Sequence, residues 1–306
     1  MKQRKTISIP YKATLFSESQ PFSKYFSNSS ASFYENAAEI PLLSQISHKD
    51  RKFFDRQALL LLGLLERTLE NVSGIDKSSS ALNFCVGPAR TDLESMLKWA
   101  SRISDDPMLP AVQPAFAVGL LPNSALSLAS IQMNWTGEGN VWSGFAECGA
   151  GAIASACDYF SIKSRKAVVA AVNCTNNYFV HDTLEKTPGK RIDNQSELAV
   201  SVVLGDESAE CSLCGVLSAS CFSDLQKEAE IYWEISLPSE SLIKPKIEPF
   251  GDCGPALFPF VMFCAQAGIF ADGDVPFYWQ DHFQRWHGIL IRKVRKSINE
   301  KMKAES

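Results

Sequence analysis

Apolar residues along this chain fall into two alternating kinds of run. Between residues 48 and 70, Leu59, Leu62, Leu65 and Leu69 recur at helical spacing between charged flanks, which predicts an amphipathic helix. Residues 81–87, 166–173 and 197–204 are instead apolar almost throughout, over seven or eight positions. Short unbroken runs of that kind predict strands buried on both faces. Residues 215–220, 231–237, 275–279 and 288–291 are further strand candidates. Helices are predicted over 91–103, with Thr91 as cap and Glu94 three residues on, over 121–135, and over 256–270. Residues 17–38 are Ser-rich and read as a surface loop, and 292–306 as a charged helix or tail.

Helices alternating with doubly buried strands predict a layered α/β architecture with helices on both faces of its sheets. No linker or tandem repeat interrupts it. The parse is an irregular segment over 1–40, one domain over 41–291 with halves meeting near residue 205, and a charged tail over 292–306.

Residues 140–160, NVWSGFAECGAGAIASACDYF, read as a strand entering a Gly/Ala-rich helix through a sharp turn. A helix N-terminus offers free N–H groups and a partial positive charge, and a thiol placed there is acidified. This is a mount for a nucleophile.

Composition adds little to that picture. The chain has 306 residues, 45% hydrophobic and 21% charged, as in an ordinary globular protein. Its net charge of −4 argues against nucleic acid as the main partner. No apolar run approaches the ~20 residues of a membrane span. The basic start, MKQRKTISIPYKATLF, lacks the apolar centre of a secretory leader. Nine scattered cysteines predict reduced, buried thiols in a cytoplasmic protein.

Candidate chemistry outside the turn is sparse. Cys211 and Cys214 form a single CxxC, with Cys221 nearby and no second pair or close histidine to complete a zinc site. His48, His181, His282 and His287 read as surface or structural residues, and Asp206, Glu207, Asp272 and Asp274 as solvated loop acids. Gly137 and Gly139 do not make a phosphate loop. Neither a metal nor a cofactor is expected. Cys148 is the thiol near the helix start, either a functional thiolate or a small core residue.

From Pro114 to Ala156 the chain resembles the β-ketoacyl synthases of the thiolase fold. Their PN … GxN … ACASGxxAIGxA run is echoed by Leu121-Pro122-Asn123, by Gly139-Asn140 and by Gly149-Ala150-Gly151-Ala152-Ile153. Downstream, Val180-His181-Asp182-Thr183 and Glu197 to Leu204 resemble a narrower group, the truncated chain length factors of aryl polyene-type clusters. Gly254 to Phe260 is similar to their NPAARSLPLLEAL helix. The resemblance spans about residues 40–290 and implies a thiolase-like αβαβα fold with a shortened C-terminal half.

It also implies where the synthase nucleophile would fall. Counting back from Ala152-Ile153 gives Ala146, and counting forward from Asn140 gives Glu147. Cys148 fits only with a two-residue slip. The two catalytic histidines of the synthases, in HGTGT-like and NxFGFGG-like contexts, have no equivalent. The resemblance therefore implies a non-catalytic subunit that pairs with a catalytic ketosynthase whose substrate rides on an acyl carrier protein. Residues 139–145, including Asn140, Val141, Trp142, Ser143 and Phe145, would form the strand that joins the two sheets across the dimer. Phe116, Leu120 and Met133 would wall the acyl tunnel. Two other readings stay open, an active transferase using Cys148 and a homodimeric scaffold or binding protein on the same fold.

Overall fold

Two β-sheets, each covered on both faces, organise the chain. The computed structural model describes residues 7–8, 14–17, 32–34, 56–87, 123–173, 198–205, 211–239, 247, 253–281 and 283–293. In chain order the elements are β1 (Ile7–Ser8), β2 (Thr14–Ser17), β3 (Ser32–Tyr34), α1 (Arg56–Asn71), β4 (Ala81–Val86), α2 (Ser124–Met133), β5 (Gly139–Ser143), α3 (Ala146–Lys163), β6 (Ala167–Asn173), β7 (Leu198–Leu204), β8 (Cys211–Ala219), α4 (Phe222–Tyr232), a 3₁₀ turn (Gly254–Ala256), α5 (Leu257–Gln266), β9 (Gly273–Gln280) and β10 (Trp286–Lys293).

One sheet runs β3-β2-β7-β6-β4-β5 and the other β1-β8-β10-β9. Every residue of β4, β6 and β7 is buried, as unbroken apolar runs require. Alternate side chains of these strands enter two cores. Leu82, Phe84, Val168 and Val172 meet α1 and α2 on one face. Cys85, Val169, Ala171 and Val200 meet α3 and α5 on the other, together with Phe277, Ile289 and Ile291 of the second sheet. A third cluster, with Leu225, Ala229 and Trp233, lays α4 on the outer face of the second sheet. The result is five layers, αβαβα. Buried hydroxyls in the first sheet are satisfied: Thr68 donates to the Leu64 carbonyl at 2.7 Å, so Ser201, 2.5 Å away, donates to Thr68.

Four expectations need correction. Residues 231–237 are not a strand. The helical spacing of Leu225 and Ala229 extends α4 to Tyr232, which leaves Ile231 exposed in its last turn, while Trp233 and Leu237 beyond it are buried. The strand expected at 215–220 begins earlier, at Cys211. Residues 1–40 are not wholly irregular, since β1 pairs with β8 and β2 with both β3 and β7. The last strand runs past 291, because Arg292 and Lys293 pair with Asp274 and Gly273 across the hairpin. The Arg292 guanidinium adds two bonds to the Asp274 carboxylate, at 2.7 and 3.0 Å. The helix expected over 91–103 lies outside the described residues.

The turn before β4 is held by one carboxylate. Asp76 accepts hydrogen bonds from the Ser79 hydroxyl and from the Ser78 hydroxyl and N–H. These bonds favour the ionised form and lower its pKa from 3.8 to about 2. The stabilisation they give is present above pH 3.8 and is lost as pH falls towards 2. Asp76→Asn is therefore expected to lower the melting temperature at neutral pH, with the gap to the parent closing over that acid range. A gap that does not change with pH would show that the bonds to Asp76 are not the cause.

Candidate functional site at the start of α3

β5 is at the edge of its sheet. Among the described strands it pairs with β4 alone, in parallel, with Asn83 opposite Asn140 and Cys85 opposite Trp142. Its side chains alternate, so Val141 packs towards α1 and α2 while Trp142 packs towards α3. Gly151 makes the Trp142 placement possible, because a Cβ there would lie 2.9 Å from the indole ring. Asn83, fully buried in β4, accepts from Asn140 Nδ2 at 3.3 Å and from the Trp142 indole N–H at 3.4 Å.

The chain then turns sharply. The Gly144 N–H donates to the Val86 carbonyl at 3.1 Å, and Phe145 caps α3 outside the strand. This corrects the expected joining strand, which ends at Ser143 and excludes Phe145. Ala146, Glu147 and Cys148 are the first three residues of the helix. Ala146 turns a methyl group into the core between the sheets. Glu147 folds back so that its Oε1 accepts the Phe145 N–H at 3.0 Å, a reach-back bond of the capping-box kind. A carboxylate in the first turn is also favoured by the helix dipole. Its other oxygen, Oε2, is buried with no hydrogen-bond partner.

Cys148 is buried in the same core as Cys85, whose Sγ lies 3.8 Å from the Cys148 carbonyl. Burial pushes the Cys85 thiol well above its ordinary pKa, and its hydrogen bond with Cys148 pushes it further. Close packing seals this region: a Cβ on Gly149 would lie 2.6 Å from the Pro255 carbonyl and 3.1 Å from the Pro259 ring. The first turn of α3 therefore presents the Ala146 methyl to the core and the Glu147 carboxylate to the Phe145 N–H.

Of the expected tunnel residues, Phe116 and Leu120 lie outside the described residues. Met133 ends α2 and packs into the core of α1 and α2, on the sheet face opposite α3. Cys211 and Cys214 leave β8 towards different cores and do not converge. Among the described residues no cluster of His, Cys, Asp or Glu is placed to hold a metal. No described helix is long and apolar enough to cross a membrane. Sequence reasoning missed Asn83 and the Glu147 cap. A polar break inside the run 81–87 was the signal for the first.

No family model matches the chain, and no curated protein matches it. Solved structures do. The ishigamide ketosynthase/chain length factor is similar with a TM-score of 0.65 at 15% identity, over 84% of this chain and 86% of that one. A chain of AntDE:AntF, a type II polyketide synthase acyl-carrier protein in complex with its ketosynthase, gives 0.65 at 14% identity over 95% and 100%. A chain of the ketosynthase ApeO in complex with its chain length factor ApeC, from Xenorhabdus doucetiae, gives 0.55 at 12% identity over 94% and 100%. The chain thus has the thiolase-like fold shared by ketosynthases and chain length factors.

Proposed function

We propose that the chain is a chain-length-factor-like subunit that pairs with a catalytic ketosynthase during elongation of a polyketide, polyene or fatty-acyl chain on an acyl carrier protein. The observation that supports this reading is the start of α3, where Ala146 is buried and Glu147 folds back on the Phe145 N–H, the two positions to which the resemblance assigns the nucleophile. A fixed carboxylate there opposes the negative charge that develops on a substrate carbonyl oxygen. Condensation is then the work of the partner subunit, in a heterodimer formed in the cytoplasm, with aryl polyene synthesis as the specific setting.

The joint is the edge of β5 that no described strand pairs with. Unpaired backbone N–H and C=O groups on an edge invite another strand, and natural edges are usually protected by charge, proline or a bulge. Gly139, Asn140, Val141, Trp142 and Ser143 supply no charge and no proline. Exposed Ile131 and Ile162 lie on the two helices that flank β5 in sequence. Lys163, beside Ile162, bonds Glu138 just ahead of the strand.

Reconstituted elongation tests the reading. The chain alone with malonyl- and acyl-loaded carrier is expected to form no elongated product, and added to the synthase it is expected to narrow the product lengths. Elongated product from the chain alone would overturn it. The rival that uses Cys148 has its own check. Iodoacetamide on the native chain is expected to modify exposed Cys221 long before buried Cys148, since thiolate character and access both govern alkylation. Preferential labelling of Cys148 in peptide maps would favour an active transferase.

A further inference from the structure

Away from α3, one row across the second sheet joins a serine, a histidine and a carboxylate. Ser218 on β8, His287 on β10 and Trp279 on β9 are lateral neighbours on adjacent strands. Asp281 lies in the turn between β9 and β10. Ser218 Oγ is 2.9 Å from His287 Nδ1, and His287 Nε2 is 3.0 Å from Asp281 Oδ2. Asp281 and His287 are 6% and 8% exposed, while Ser218 is open to solvent. The serine is thus at the surface, and the groups behind it are buried.

The bonds around Asp281 assign one proton of the His287 ring. Arg285, the other charged group at the cluster, donates its backbone N–H to Asp281 Oδ1 at 2.8 Å and its Nε–H to Oδ2 at 3.2 Å. Burial alone would raise the Asp281 carboxyl, but bonds from His287 and the Arg285 N–H outweigh it and hold the group below its ordinary value. An ionised carboxylate can only accept, so Nε2 of His287 carries a proton. In the neutral imidazole Nδ1 then has a lone pair free to accept from the Ser218 hydroxyl. Nucleophile, base and orienting carboxylate are thus hydrogen-bonded in series. The ring nitrogens are used in the reverse sense to the chymotrypsin arrangement, in which Nε2 faces the serine. Either nitrogen is competent as a base.

We propose that Ser218, with His287 as its base and Asp281 as positioning residue, is an acyl-accepting nucleophile for small activated esters and thioesters. The Ser218 oxygen bonds to the acyl carbon while its proton passes to His287 Nδ1. The bond to the alcohol or thiol leaving group breaks, and that group takes the proton from His287. Water then cleaves the seryl ester, releasing the acid and restoring the hydroxyl. Half-buried Trp279, next to His287 on the row, offers an apolar wall for the acyl group. The proposal rests on this row alone and does not depend on the chain-length-factor reading.

The full chain is treated with a fluorophosphonate and, separately, with p-nitrophenyl acetate, and modified peptides are mapped by mass. One adduct on Ser218 is expected, with a burst of one nitrophenolate per chain. Ser218→Ala, at an exposed position, folds normally and loses both. His287→Gln is expected to slow acylation about 100-fold, the scale of a general base. Asp281→Asn releases the tautomer and is expected to change the pH profile of the rate as well as its size. Melting curves establish that each variant is folded. An unlabelled Ser218 in the folded parent would overturn the proposal whatever the variants do. So would wild-type labelling in folded His287→Gln. A row that serves only as a cross-strand brace gives lower melting temperatures with no adduct.

Discussion

Lysines at Asn140 and Ser143 together are expected to abolish association with a catalytic synthase while leaving the chain itself folded. Both positions are exposed on the edge strand β5, and although Asn140→Lys loses the bond to Asn83, the Trp142 indole N–H still donates to that oxygen, so the isolated chain stays folded. An incoming strand would have to bury two ammonium groups beside its own backbone, and charged edges are how natural sheets refuse such partners. Affinity is expected to fall at least ~100-fold, equivalent to about 3 kcal/mol. Titration calorimetry reads the affinity, and circular dichroism checks that the variant is folded. Unchanged binding would show that the joint lies elsewhere.

Phe258→Ala is expected to cost about 3–5 kcal/mol, the range for emptying a large buried aromatic site. Phe258 is fully buried near the start of α5 and meets Phe277 of β9 edge-on, with centroids 5.4 Å apart at 71°. It belongs to the core that α3 and α5 share with both sheets, and the close approach of Gly149 to Pro255 and Pro259 leaves the neighbours little room to collapse into the gap. Total stability of a domain is about 5–15 kcal/mol, so the variant stands near the threshold of unfolding. Denaturant melts measure it. A loss below about 1 kcal/mol would mean that the layer between the sheets is not the core that holds the two together.

Much of this fold was legible in the sequence because doubly buried strands leave an unambiguous mark. The runs at 81–87, 166–173 and 197–204 had one physical explanation, and β4, β6 and β7 occupy those places. Failures came where two periods compete. Near Ile231, Trp233, Ile235 and Leu237 a helix end and a short extended stretch together imitate strand alternation. The N-terminal strands are two to four residues long and carry too few side chains to set a pattern. At the site, the positions of Ala146, Glu147 and Cys148 followed from counting. What their side chains do was hidden, because the Glu147 bond to Phe145 and the Cys148 packing against Cys85 depend on backbone geometry that spacing does not encode. The pairing of His287 with Ser218 was likewise invisible, since it joins strands 69 residues apart.

The central claim is that the start of α3 is kept for pairing rather than for condensation. Its most direct test is the mass of the chain in solution, by native mass spectrometry, when co-produced with a catalytic ketosynthase encoded beside it. The account predicts a one-to-one complex that survives purification. A stable monomer, or a self-dimer that ignores the synthase, would contradict it.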